Sequence, residues 1–448
     1  MTPLYRVFYV LYWMVLGRGE WLRRRFTKAG LAVLGALFFA ACLAPDTDNN
    51  LAYQALPLLL FLLVTSVLFS RLLRTPFSAT RRLPRFGTAG LPLEYPVLIR
   101  NRSHRAQKGL SLLERLVDNR PSFPEWLEVQ RAEERQVRSF HFGGDRPLNP
   151  FRVALAKEAQ VPTIPPGQEA EVKVQLIPQR RGILRFAGLA LARPDPLGLY
   201  RALERLALPQ TLLILPRRYP IPAIALPGTL KYQEGGVALA ASVGQSEEYV
   251  ALRDYRHGDP LRHIHWRSWA RVGRPVVKEF QDEFFVRHAL VLDTFTDHPH
   301  SQAFEEAVSV AASFACTLPT QESLLDLLFV GPQSYCFTAG RGVAHVEQML
   351  EILASVTICA QQPFAALEHL VLGHVDAVSG CICVLLAWDA PRQDFIRKLR
   401  ALSVPVLVLI IVPAGRETKV APGPMADEPD RFHVLQVGQV ETGLSKLG

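Results

Sequence analysis

Cysteine is scarce in these 448 residues, six in all, and none falls into the paired C-x-x-C spacing that builds a zinc site. Cys42, Cys316, Cys336, Cys359, Cys381 and Cys383 sit mostly among apolar neighbours and read as small buried hydrophobes. Cys381 and Cys383 share one face of the strand-like GCICVLLAW, but a soft-metal pair there lacks a second pair or a nearby histidine. The G-x-S-x-G elbow, the P-loop, H-E-x-x-H and the Rossmann glycine fingerprint are missing as well, which removes the motif-borne grounds for esterase, NTPase, zinc-protease or dinucleotide chemistry.

Apolar residues, by contrast, are in excess. They make up 49% of the chain and its mean hydropathy is positive, more than a soluble protein of two or three domains requires, so part of the excess belongs in a membrane. A formal charge of +9 and a pI near 9.4 suit an anionic neighbour: an inner-leaflet lipid surface, a nucleic acid or an acidic protein. Two uncharged runs, Ala29 to Pro45 and Leu51 to Ser70, approach the roughly 20 residues that span a bilayer. The connecting DTDNN carries no cation. Arg18, Arg23, Arg24, Arg25 and Lys28 precede the pair, and Arg71, Arg74, Arg81, Arg82 and Arg85 follow it. The positive-inside bias then predicts a helical hairpin with both ends cytoplasmic, a multi-pass protein of the bacterial inner membrane with its bulk in the cytoplasm. A cleaved signal sequence is the competing reading, weakened by the long basic segment and the second span. The aromatic run Leu4 to Leu16 either lies along the interface or packs on the hairpin.

From about Phe86 the pattern changes to short alternating segments bounded by Gly, Pro and Asn, among them LPLEYPVLIRN, EAEVKVQLIPQ, GILRFAGLAL and TLLILPRRY. These predict a β-sandwich of immunoglobulin-like type over 83–220, with EAEVKVQLIPQ and GILRFAGLAL forming a hairpin ahead of a loop at Pro194 to Gly198. Ser111 to Asn149 fits the sandwich less well and reads as an insertion or a long hairpin. From Arg287 onward, apolar strands alternate with helical patterns: HALVLDTF, QAFEEAVSVAASFACTL, LLDLLFVG, VAHVEQMLEILASV, ICVLLAWD, PRQDFIRKLRAL and VPVLVLIIV. This predicts a doubly wound α/β domain over 287–448, whose ligand edge lies at the carboxyl ends of the strands, where Asp293 ends the first.

Between the two domains, over 221–286, lies the densest segment of the chain. Glu247 to Glu279 holds seven Arg or Lys, four aromatics and a Gly-Asp-Pro turn signal. Glu248, Leu252, Arg253, Tyr255, Gly258, Asp259, Arg262, Ile264, Trp266, Ala270, Arg271, Val277, Lys278 and Phe280 stand at the fixed spacings of a signature, "EF..LR.Y..GD..R.I.W...AR...L.VK.F", from which Tyr249 and Pro275 depart. The segment resembles that of the bacterial family called domain of unknown function fifty-eight. Such relatives also carry a DPLGL-like stretch before an apolar strand ending in Pro, here Asp195 to Leu199 followed by LLILP.

The resemblance implies that the C-terminal domain is similar to a von Willebrand factor A module. In the metal-binding form of that module a D-x-S-x-S motif at the first strand's end supplies oxygen ligands to a divalent cation, as hard cations require. Here the five positions from Asp293 read D-T-F-T-D, with Phe295 and Asp297 in place of the hydroxyls, so the leading expectation is no cofactor. A shifted set of Asp293, Thr296, Asp297 and Asp389, with Thr338 facing the same edge, is the alternative: a Mg²⁺-dependent binder or hydrolase. The resemblance also implies partners, a MoxR-type AAA+ ATPase and neighbouring membrane proteins, with the chain acting as a non-catalytic adaptor. Its basic signature (Arg253, Tyr255, Gly258, Asp259, Arg262, Trp266, Arg271, Lys278) is then the docking element. Nucleic acid or anionic lipid bound through Arg253, Arg256, Arg262, Arg267, Arg271, Arg274, Lys278 and the neighbouring aromatics is a further alternative, opposed by the acidic residues mixed among them. His257, His263 and His265 lack a third ligand at a defined spacing, and His265 stands where the family more often has Asp, so no catalytic role is assigned to them.

Overall fold

In a computed structural model of the chain, the described residues are 2–43, 50–73, 75–117, 121–127, 131, 153–222, 251–257, 259, 261, 264–279, 286–297, 301–317, 323–339, 343–414 and 420–447. The chain divides into two compact units at Arg217/Arg218.

The first unit opens with three helices, α1 (Thr2–Arg25), α2 (Lys28–Leu43) and α3 (Asn50–Leu72). The two apolar runs of the sequence are α2 and α3. Over Tyr53–Leu72, α3 is long and apolar enough to cross a membrane, while the apolar α2 is shorter, at 16 residues. Leu4 to Leu16 lies within α1, where the Tyr9 hydroxyl donates to the Pro121 carbonyl at 2.9 Å and the ring packs 5.4 Å from Phe123 and 5.6 Å from Trp126.

Two sheets come next in the chain. One has the order β1 (Phe77–Arg81), β3 (Leu93–Asn101), β7 (Glu169–Pro178), β5 (Ala154–Ala156). The other runs β2 (Phe86–Thr88), β9 (Arg201–Leu215), β8 (Gly182–Pro194), β4 (Leu110–Leu116), β6 (Ala159–Val161). They share one core, in which Tyr95, Val97, Ile99, Val172, Val174 and Leu176 of the first sheet meet Leu112, Leu184, Phe186, Leu189, Leu212 and Ile214 of the second.

Three expectations need correction here. β7 and β8 do not form a hairpin: β7 pairs with β3 and β5, and β8 with β4 and β9. Alternation such as that of β7 and the first half of β8 is the same pattern whether two strands lie side by side or across a core, so it could not distinguish the cases. Ser111 to Leu116 belongs to the sandwich as most of β4, not to an insertion. The sandwich also begins at Phe77, inside the 1–82 stretch that the sequence assigns to the membrane anchor, and Arg81 turns into the core instead of flanking the membrane. Its guanidinium grips Glu114 through Nε (3.1 Å) and Nη2 (2.7 Å), the Tyr95 hydroxyl donates to the same carboxylate at 2.8 Å, and the Gly188 carbonyl, at a bulge in β8, accepts from Nη2 at 3.2 Å. Burial pushes the Glu114 carboxyl above its ordinary range and Arg81 opposes that shift.

The DPLGL stretch is the loop from β8 to β9. Asp195 is buried, and its carboxylate accepts the backbone N–H groups of Leu197 (3.1 Å), Leu199 (2.8 Å) and Tyr200 (2.8 Å), an Asx-type turn that fixes the loop. The closed loop presents its outer carbonyls to the start of α2. The Thr27 hydroxyl donates to the Gly198 carbonyl and, as N-cap, accepts the Gly30 N–H at 3.0 Å, and Thr27 N donates to Leu199 O at 3.1 Å. Phe26 meets Tyr200 edge-on at 5.0 Å, and Leu63 of α3 completes the cluster.

The second unit holds the signature, as β10 (Ala251–Asp254), α4 (Trp266–Val272) and β11 (Val276–Glu279), and then a six-stranded sheet. The elements of that sheet and its helices are β12 (Val286–Leu292), α5 (Gln302–Thr317), β13 (Ser323–Val330), β14 (Ser334–Ala339), α6 (Val343–Ser355), α7 (Ala365–Leu372), β15 (Gly380–Leu385), α8 (Ala390–Ala401), β16 (Val406–Val412), β17 (Phe432–Gln436) and α9 (Val440–Leu444). Strand order is β14-β13-β12-β15-β16-β17, parallel except for the antiparallel edge pair β13/β14. β15 and β16 are buried throughout, as parallel strands covered on both faces must be. α5 and α6 pack together, with α5 against β12, β15 and β16; Leu367 and Val371 of α7 and Phe395 and Leu399 of α8 cover Val291, Cys381, Cys383, Val408 and Ile410 on the opposite face. β14, α7, β17 and α9 are additions to the elements read from the sequence.

A Cβ at Gly30 would stand 1.9 Å from the Leu199 carbonyl oxygen, whereas one at Gly35, also in α2, would meet nothing within 4 Å. Gly30→Ala should therefore lower thermal stability by about 1–3 kcal/mol through overpacking, despite the ~0.5–1 kcal/mol that alanine gains over glycine inside a helix. Gly35→Ala should be neutral or stabilising. Thermal unfolding of both variants in detergent separates the two effects.

Candidate functional site

The carboxyl edge of the α/β sheet brings together two of the four proposed cation ligands, Asp293 and Asp389, and does so around an arginine. Asp293 comes directly after β12 and is fully buried. Its Oδ1 accepts Phe295 N at 2.9 Å, and its Oδ2 accepts both Leu386 N at 3.0 Å and Arg392 Nε at 2.6 Å. Asp389 is the N-cap of α8: Oδ1 accepts Arg392 N at 3.2 Å, and Oδ2 accepts Arg392 Nη1 at 2.6 Å. The third guanidinium nitrogen donates to the Phe295 carbonyl at 3.2 Å, and the Phe364 ring lies 4.8 Å beneath. Burial alone would lower the Arg392 pKa, but the two carboxylates outweigh it and raise it, so the side chain stays charged.

The oxygens that a divalent ion would need are thus taken up by N–H donors, and the residues present do not fit a cation. Asp297 is exposed and Thr296 only half-buried. Thr338 is corrected as well: its hydroxyl donates to Asp326 Oδ1 at 2.6 Å, and Asp326 pairs in register with Ala289, well before the end of β12. There Arg287 neutralises the fully buried Asp326 through Nε at 2.6 Å and Nη2 at 3.1 Å. Among the described residues no three His, Cys, Asp or Glu are grouped to hold a metal. Cys359, Cys381 and Cys383 are buried, and burial pushes the Cys383 thiol well above its ordinary value, as suits a core hydrophobe, whereas Cys42 and Cys336 are exposed and Cys316 is half-buried, against the sequence reading.

The signature forms a two-stranded antiparallel hairpin carrying a short helix. Leu252 pairs with Lys278 and Arg253 with Val277, and Tyr255 N donates to Pro275 O at 3.0 Å where the strands part. Between them the chain is tied by Asp259, whose carboxylate receives both Arg253 Nη atoms (2.7 and 2.8 Å) and Arg256 N (2.8 Å). The hydrogen bond from Arg253, then that from the Arg256 backbone, holds the Asp259 carboxyl at about 2, below its usual 3.8. The side chain of His265 caps α4 by accepting Ser268 N, which gives this histidine a structural task. The Trp266 and Trp269 rings stack 5.2 Å apart, and Trp266 is 64% exposed beside exposed Leu261 (67%), Val272, Arg267 and Arg271. Gly258, Arg262 and His263 lie outside the described residues.

Sequence reasoning missed Arg392. The legible signal was the D-x-x-R spacing at the start of a helix, where an N-cap carboxylate and the residue at N3 come within reach of each other. It did not reveal that the same guanidinium crosses to Asp293.

Residues 251–426 match the family described as protein of unknown function DUF58. The chain is 28% identical over 197 residues to the uncharacterized protein YeaD of Bacillus subtilis (strain 168), covering 43% of this chain and 47% of that one, so it spans about half the length of this curated relative. The solved ASH/PapD-like domain of human CEP192 aligns at 8% identity over 32% of this chain and 86% of its own, with a TM-score of 0.17. A GH20 exo-β-N-acetylglucosaminidase from Vibrio harveyi aligns at 8% identity over 78% of this chain and 59% of its own, with a TM-score of 0.13. Structural overlap this slight carries no functional argument.

Because Asp259 titrates below its free value, its contribution to the signature is complete above pH ~4 and is lost as pH falls toward 2. Hydrogen exchange of the segment 251–257 should show protection that disappears over that interval. In Asp259→Asn, protection should be reduced and independent of pH across it.

Proposed function

We propose that this chain is a membrane-anchored, non-catalytic interaction protein that docks a partner on the exposed face of the signature. The observation that carries this reading is the exposed tryptophan, Trp266, stacked on Trp269. Trp266 is 64% exposed, and Leu261, Val272, Arg267 and Arg271 of the same segment are exposed as well. Tryptophan and arginine are the residues that dominate binding energy at interfaces, and fixing Trp266 on Trp269 lowers the entropy its ordering would cost. The complementary partner surface is acidic around an apolar socket. Following the family resemblance, we assign it to an AAA+ ATPase of the MoxR type, with a neighbouring membrane protein as client.

Other features support the remaining parts of the reading. The order β14-β13-β12-β15-β16-β17 with one antiparallel edge supports a likeness to a von Willebrand factor A module. Packing of α2 against α3 supports a two-helix membrane hairpin, and exposed Arg71, Arg82 and Arg85 after it support a cytoplasmic location for the sandwich. The engagement of Asp293 and Asp389 by Arg392 supports binding over bond chemistry at the carboxyl edge.

The test is capture of purified MoxR-type ATPase from the host by the full-length protein in detergent, with and without Mg²⁺ and ATP. Wild type should retain the ATPase, and Trp266→Ala/Arg271→Glu should weaken retention by roughly tenfold or more. Absence of capture, or equal capture by the variant, would overturn the proposal.

A further inference from the structure

We propose that Arg392 is a built-in counter-cation: it occupies, at the carboxyl edge of the α/β sheet, the position between Asp293 and Asp389 that a divalent ion would otherwise take, so this edge is assembled without metal. The inference is independent of the adaptor reading and rests on the N–H donors that fill the oxygens of the two carboxylates.

A hard divalent ion binds where several oxygens keep free lone pairs directed at one point. Here the point is filled. Asp293 Oδ2 and Asp389 Oδ2 each approach a different nitrogen of one guanidinium at 2.6 Å, and the Phe295 carbonyl takes the third. Oxygens from the β12–α5 loop and from the α8 N-cap, 96 positions apart in the chain, are thereby drawn onto a single positive charge, which is the organising effect an ion has on such loops. Arginine suits the task because its fork reaches two carboxylates and a carbonyl at once and its charge is permanent. Burial between Phe364 and the sheet edge, with 7% of the side chain exposed, keeps water from competing. Two further arginine–carboxylate pairs among the described residues do not share this design. Arg81 and Arg287 each serve one carboxylate inside a sheet or a sandwich core, whereas Arg392 bridges two at the end of a parallel strand.

The proposal predicts metal binding that appears when the arginine is removed. Full-length protein in detergent is titrated with Mn²⁺, and bound ion is measured by electron paramagnetic resonance and calorimetry. Wild type should bind no ion through this edge, so its isotherm should match that of Asp293→Asn. Arg392→Ala should acquire Mn²⁺ binding roughly tenfold or more above wild type, and Asp293→Asn/Arg392→Ala should lose it again. Should the alanine variant fail to fold, Arg392→Gln keeps an N–H for Asp293 while removing the charge, and the same gain is expected. Wild-type binding that Asp293→Asn abolishes would overturn the proposal, since the ion would then displace the arginine. A folded Arg392 variant that binds no more Mn²⁺ than wild type would overturn it too, reducing Arg392 to an ordinary ion-pair partner.

Discussion

A carboxylate removed from water must find positive charge or hydrogen-bond donors within about 3 Å, and much of this protein's long-range architecture results from how that requirement is met. Among the described residues, Arg81, Arg287 and Arg392 meet it. Arg81 joins β1 to β4 across the sandwich core, with Tyr95 of β3 as a third member. Arg287 joins β12 to β13 and, through Thr338, to β14. Arg392 joins the end of β12 to the start of α8. A pair of this kind contributes little net stability over an apolar replacement, but removing one partner costs about 3–5 kcal/mol, so each pair penalises arrangements that leave its carboxylate alone.

Asp195 shows the same requirement met by backbone. Three N–H groups satisfy its carboxylate and close the DPLGL loop, leaving the Gly198 and Leu199 carbonyls directed outward. Those carbonyls become acceptors for Thr27, the N-cap of α2, and the close approach requires glycine at position 30. One buried aspartate thereby fixes how the apolar helices meet the sandwich within the first unit. That gives the DPLGL stretch a physical reason which its composition alone did not disclose.

At the signature the same chemistry divides the cations by role. Arg253 is committed to Asp259, and Arg274 pairs with Asp254, while Arg267 and Arg271 remain exposed beside Trp266. Asp259, one of the acidic residues that argued against nucleic acid in the sequence, ties the turn through Arg253 and the Arg256 backbone.

Periodicity made most of the elements legible. The uncharged runs matched α2 and α3, alternation matched β3, β7, β8 and β9, and all-apolar β16 was read as a strand of the α/β alternation, because each of these patterns depends on which face of one element is buried. Partner choice was not legible. The sequence placed β7 beside β8 when they lie in opposite sheets and assigned Arg81 to the membrane flank when it lies in the core; it offered Asp293, Thr296, Asp297 and Asp389 only as an alternative cation set, and did not show that Arg392 bridges two of them while Asp297 faces solvent. The sequence by itself determined the apolar helices, the strand-rich middle, the α/β alternation and the basic signature, since these are written in the spacing of neighbours along the chain. Only the tertiary structure decided which strands pair, which arginine neutralises which carboxylate and which cations stay at the surface, because those outcomes depend on distances between residues far apart in sequence.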